Sequence, residues 1–241
     1  MIISHKYKFI FIKTVKTAGT SLEIALSEYC DSNDVITPIS DEDQAMRSEL
    51  GFQGPCNYRY NGWELVSALD RDKLIQLTRG KLPRKFANHI SARQVRNRVE
   101  SRLWKDYKKF TVVRNPYDRA ISLYWWHLKR TQLSPANCSF IDFLRSQASS
   151  VFGNWLKYTE NNTPLVDRCV KYEVLEDDLG ELSAELGLDK NLFVSMKNIK
   201  AKGGIRDDSN GRFSLLDEES RNLISHLCRP EIEQFGYLEP T

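Results

Sequence analysis

Four apolar residues in a row, Phe9 to Ile12, give way to small, hydroxylic and basic residues, and then to apolar positions three and four apart: Leu22, Ala25, Leu26 and Tyr29. The first run predicts a short buried strand over Lys8–Lys13 and the second a helix over Ser21–Tyr29. The same change of rhythm returns at "KFTVVR", Lys109 to Arg114, where Asn115 can cap and Pro116 can occupy the first turn of the helix "PYDRAISLYWWHLKR". A third strand is predicted over Cys169–Val174, before the helical "LGELSAELGL". Ser91 and Gln94 have capping-box spacing and open a helix with Val95, Val99 and Leu103 as its stripe. Further helices are expected from about Asp217 to Cys228 and after Pro230. Between Asp31 and Gly62 the pattern dissolves into Asp, Ser, Asn, Gly and Pro, which predicts an irregular insertion at about 31–62. Strands alternating with helices argue for an α/β sandwich with a parallel sheet, as one domain over residues 1–241.

Composition narrows the class. With 41% hydrophobic and 28% charged residues, and no run approaching the roughly 18 apolar residues of a membrane span, the chain reads as a water-soluble globular protein without an integral membrane segment. The apolar stretch near the N-terminus is too short and interrupted for a signal peptide. Cys30, Cys56, Cys138, Cys169 and Cys228 are scattered without a CxxC pair, which predicts reduced thiols and a cytoplasmic location. A net charge of +3 is too small to predict nucleic-acid binding. The charge is uneven, however: from Arg79 to Lys109 eleven basic residues face only Glu100 and Asp106. Such a run is either a solvated face or a positive field that gathers an anionic ligand.

The candidate chemistry lies at the two strand-to-helix transitions. Backbone N–H groups and the dipole at a helix N-terminus favour an anion. Thr17 to Ser21 offers such groups, with hydroxyls on Thr17, Thr20 and Ser21, close backbone approach at Gly19, and the Lys16 ammonium. The loop is not GxxxxGK[ST], because the glycine pair is missing and the lysine precedes the glycine. Taken alone it is either an anion loop or an ordinary connection. At the second transition Arg114 and Ser122 could grip another phosphate, or Arg114 could pair with Asp118 while Ser122 packs.

"KTAGTSLE" followed by "FTVVRNPYDRAISLYWW" resembles the 5′-phosphosulfate loop and 3′-phosphate site of sulfotransferases, especially bacterial enzymes and Golgi carbohydrate O-sulfotransferases. The likeness continues in "NHISARQV", "VKYEVLEDDLGELSAELGL" and "EIEQFGYLEP", and leaves out residues 31–80 and 130–165. It implies a P-loop-like three-layer fold, a central parallel sheet flanked by helices. It also implies 3′-phosphoadenosine 5′-phosphosulfate (PAPS) as co-substrate, no metal, and a carbohydrate or small-metabolite hydroxyl as acceptor. Lys16 would then meet the 5′-phosphosulfate as the catalytic cation, with Thr17, Gly19, Thr20 and Ser21 completing the loop. Arg114 and Ser122 would hold the 3′-phosphate, and Lys202 and Gly203 would belong to a covering loop. Lys13 and Val15 stand where relatives commonly carry His and Pro, so Lys13 is either a second donor contact or a residue leaving the strand.

Of the four histidines, His5, His89, His127 and His226, only His89 immediately precedes a helix start, and it aligns with the family's base. Its other reading is a capping or packing role. Glu173 of "YE" is expected to orient neighbours, and Trp125 and Trp126 either line an acceptor cleft or join the core. Two other functions fit the residues less well: a kinase on a related loop, and an anion-binding protein without catalysis. Neither the acceptor nor the oligomeric state is legible.

Overall fold

The computed structural model describes residues 1–147, 152–199 and 213–240. The chain opens with β1 (Ile2–Ser4), β2 (Phe9–Ile12) and α1 (Gly19–Ser27), followed by β3 (Val35–Ile36) and α2 (Asp41–Glu49). Four short helices follow: α3 (Gly62–Ser67), α4 (Arg71–Thr78), α5 (Ala92–Arg96) and α6 (Ser101–Asp106). Next come β4 (Lys108–Val113), α7 (Pro116–Thr131), α8 (Phe140–Ser146) and α9 (Trp155–Tyr158), then a small hairpin of β5 (Thr159–Glu160) and β6 (Thr163–Pro164). β7 (Arg168–Lys171) precedes a 3₁₀ turn at Tyr172–Val174, α10 (Leu175–Glu185), α11 (Leu192–Lys197), α12 (Glu218–Leu227) and α13 (Arg229–Phe235).

The main sheet has the order β3-β1-β2-β4-β7. β2, β4 and β7 pair in parallel, whereas β1 is antiparallel to both its neighbours. The expected parallel sheet is therefore mixed. The reason is local: β1 and β2 are joined by a four-residue turn, and so short a connection can only reverse the chain.

Alternation along β2 builds the layers. Phe9 and Phe11 face Leu22, Ala25 and Leu26 of α1 and Leu179 of α10. Ile10 and Ile12 face the other way, onto Phe86, Ile90, Val95 and Trp155. Helices thus cover both faces, and α7, α8 and α12 close a third apolar cluster around Tyr124, Phe143 and Ile224.

Two expectations fail for physical reasons. Residues 31–62 are not irregular throughout, since they hold β3 and α2. α2 escapes an apolar-period reading because what it buries is Asp43 and Arg47. The capping box at Ser91 and Gln94 forms, but the helix it opens ends at Arg96, and α6 restarts at Ser101.

Candidate functional site

The loop after β2 enters α1 through two residues in the left-handed region, Lys16 at φ 61° and Ala18 at φ 59°. Such conformations cost a residue with a Cβ free energy and persist only where surroundings enforce them. Ala18 offers no side-chain cap, no acidic residue occupies the first turn, and the Leu22 N–H is the first to bond back, to the Ala18 carbonyl at 3.1 Å. The amides of Gly19, Thr20 and Ser21 therefore lie ahead of the helical ladder, as donors at the positive end of the dipole. By contrast, Ser40, Ser91 and Asn115 cap their own helices through side-chain oxygens.

Buried polar groups enforce the loop from below. The Thr17 and Thr14 hydroxyls are 2.9 Å apart, and Thr14 donates to the Val112 carbonyl of the neighbouring strand. The Asn154 amide clamps Val15 at both backbone atoms, accepting from its N–H and donating to its carbonyl at 2.9 Å each. Arg114 Nη1 donates to the Lys16 carbonyl at 2.8 Å, while Nε and Nη2 reach one Asp118 oxygen at 2.7 and 2.6 Å. The guanidinium lies 4.1 Å from the centre of the Tyr172 ring. Arg114 thus does make the Asp118 pair, and it also ties the first transition to the second. Ser122, half-buried, sits one turn beyond Asp118 and so on the same face of α7.

Lys13 turns inward. Its ammonium donates to Glu23 Oε2 at 2.7 Å, both side chains being buried, and the Met1 amine donates to Glu23 Oε1 at 2.9 Å. Burial alone would raise the Glu23 carboxyl, but the Met1 and Lys13 amino groups outweigh it and hold it down at about 2. The Lys13 stem passes under Gly19, where an added Cβ would come 3.0 Å from Lys13 Cγ. A side chain there would require the Lys13 stem to give by a few tenths of an ångström.

His89 stands over the same strand end, with Nδ1 3.2 Å from the Lys13 carbonyl. A carbonyl only accepts, so Nδ1 carries the proton and the neutral ring presents its lone pair at Nε2. Burial, reinforced by the Lys13 charge, lowers the His89 pKa to about 4. Lys157 fixes the backbone by donating to the His89 carbonyl at 3.1 Å.

Lys16 lies with its ammonium 5.8 Å from the centre of the Trp126 ring. Trp125 and Trp126 are partly buried against the third apolar cluster. Glu173 accepts from the Asn115 N–H at 2.6 Å, at the entry to α7. Lys202 and Gly203 lie outside the described residues. The basic run divides: Lys85 pairs with Glu64, Arg96 with Glu160, Arg102 with Asp106, Lys108 with Glu185 and Lys109 with Asp167. Among the described residues, no group of three or more His, Cys, Asp or Glu could hold a metal, and no helix is long and apolar enough to cross a membrane.

Thr14, Glu23 and Asn154 were not singled out from the sequence. Asn154 falls where the chain offered no readable pattern, and Thr14 was one hydroxyl in a hydroxylic loop. Glu23 had the best signal, a carboxylate between Leu22 and Ile24 of a predicted buried helix.

An uncapped helix entered from a central strand, with Lys16 on the connecting loop and His89 held on the Lys13 carbonyl, defines an α/β protein whose candidate site lies where β2 runs into α1. The chain belongs to the sulfotransferase family, whose model matches residues 1–238. Membership points to a transferase that moves a sulfuryl group, and the family generally uses PAPS. An uncharacterized protein of Archaeoglobus fulgidus is 33% identical over 108 residues, which make up 44% of this chain and 88% of that protein. No solved structure matches the chain significantly.

Proposed function

We propose that the protein transfers the sulfuryl group of PAPS to a hydroxyl acceptor, a carbohydrate or small metabolite, with His89 as general base. The reading is supported above all by His89, whose Nδ1 is fixed on the carbonyl of Lys13, three residues before Lys16 on the chain that leads into α1, a helix with no side-chain cap. The donor set suits a phosphosulfate. The amides of Gly19, Thr20 and Ser21 and the hydroxyls of Thr20 and Ser21 hold the 5′ end, while Thr17 spends its own hydroxyl on Thr14. The guanidinium edge of Arg114 left over from Asp118 and Lys16, with Ser122, receives the 3′-phosphate.

In the reaction His89 Nε2 takes the acceptor's hydroxyl proton, and the oxygen attacks sulfur in line. The bond from sulfur to the bridging phosphate oxygen breaks, leaving 3′,5′-adenosine bisphosphate. Negative charge grows on that oxygen, where the Lys16 ammonium lowers its energy; loss of such a group costs about 10²–10³-fold in rate. A positioned base contributes about 10²–10⁴-fold. Lys13, spent on Glu23, positions the loop and His89 without touching donor. The test is sulfuryl transfer from PAPS to a panel of hydroxyl acceptors, read by mass spectrometry. Turnover that His89→Ala abolishes, with bisphosphate binding kept, fits the reading. Full activity in His89→Ala removes the base assignment.

A further inference from the structure

Residues 61–82 leave and rejoin the fold at one base, as an arm. Its base is zipped by the bridge between Arg59 and Arg84, by Phe86 N–H donating to the Tyr58 carbonyl, and by the pair Lys85–Glu64. Beyond that base, no residue of α3 or α4 whose side chain is described is buried. Large apolar side chains point outward: Trp63 is 86% exposed, Val66 68%, Leu82 59% and Leu74 51%. Trp63 and Val66, three apart on α3, share a face. So much apolar surface in one 22-residue span is uncommon on a protein surface and marks an interaction site.

The charges around it select the partner. From Arg71 to Lys85 the sequence has six basic residues and one acidic residue. The arm's Glu64 and Asp70 are already paired, with Lys85 and Lys73. Arg71, Arg79, Lys81 and Arg84 are exposed and make no ion pair among the described residues. The arm thus brings an exposed tryptophan, exposed aliphatic side chains and exposed cations into one short stretch, the chemistry that seats at the boundary between lipid headgroups and acyl chains. A second copy of the chain would bring the same cations against themselves, and an acidic polymer would leave the apolar side chains in water.

We propose that the 61–82 arm docks the protein peripherally on an anionic lipid surface. Two residues, Ala87 and Asn88, separate Phe86, at the arm's base, from His89, a reach of at most about 11 Å over three steps, so docking would bring the candidate base close to the membrane plane. The proposal does not depend on the identity of the donor.

The experiment is co-sedimentation of the full chain with vesicles of phosphatidylcholine alone or with about one-third phosphatidylglycerol, at low and high salt. The expected result is binding to the anionic vesicles only, weakened several-fold by salt because surface charges are screened beyond about 10 Å at 0.1 M. Trp63→Ser with Val66→Ser should abolish it, and Lys81→Glu with Arg84→Glu should weaken it at least tenfold; both pairs should keep the wild-type circular dichroism. No binding to either vesicle, binding that survives Trp63→Ser with Val66→Ser, or wild-type self-association that this pair abolishes would each overturn the proposal.

Discussion

The loop over α1 and the 61–82 arm are built on opposite plans. Beneath the loop, Lys13 meets Glu23, Thr14 meets Val112, Asn154 meets Val15, and Arg114 meets Asp118 and Lys16. The arm has its charges and its largest apolar side chains in water. Satisfied buried polar groups rigidify and specify one conformation, which a site for charged transition states requires. Exposed apolar surface contributes little to the fold, so its presence points outward, to a partner.

Substitutions at the two places should therefore differ sharply, and the largest effect is expected where a buried charge loses its partner. Glu23→Ala takes the paired carboxylate away from the buried Lys13 ammonium and should cost about 3–5 kcal/mol of stability in denaturant unfolding. A cost below about 1 kcal/mol would mean that the pair does not brace the loop. Asn154→Ala leaves both backbone atoms of Val15 unsatisfied and should cost about 1–3 kcal/mol, with weakened bisphosphate affinity. At the other extreme, Trp63→Ser should change stability by no more than about 0.5 kcal/mol, since only exposed surface is altered.

Acidity sharpens the same contrast. His89 titrates near 6.5 when unfolded but near 4 in the folded chain, so between those values the unfolded state binds more protons. Stability should fall as pH drops through that window, and His89→Gln should remove that part of the slope. Activity that depends on neutral His89 should persist to lower pH than an ordinary histidine allows, with an acid limb in kcat/KM near 4.

The arm and the loop were also unequally legible in the sequence. Both strand-to-helix transitions could be read because "FIFI" and "FTVV" are short apolar runs ended by capping or breaking residues. β1 was hidden because "IIS" is too short to carry a period, and it reverses the sheet's direction at one strand. α2 was hidden because its buried face is ionic. The residues of the KTAGTS loop are contiguous, so their grouping was visible, whereas its supports come from three separate parts of the chain: Glu23, the strand end at Val112 and Arg114, and Asn154. Contacts at such separation leave no local pattern. Arg114 shows the limit most clearly, since a phosphate grip and a clamp on Asp118 use the same side chain, and only the geometry adds the Lys16 carbonyl as a third partner.

The most direct test of the central claim is calorimetric titration with 3′,5′-adenosine bisphosphate, beside 5′-AMP and beside ATP with magnesium. The account predicts metal-independent binding that requires the 3′-phosphate, weakened at least tenfold by Arg114→Ala or Lys16→Ala and nearly unchanged in His89→Ala. Equal affinity for 5′-AMP, or preference for ATP with magnesium, would contradict it.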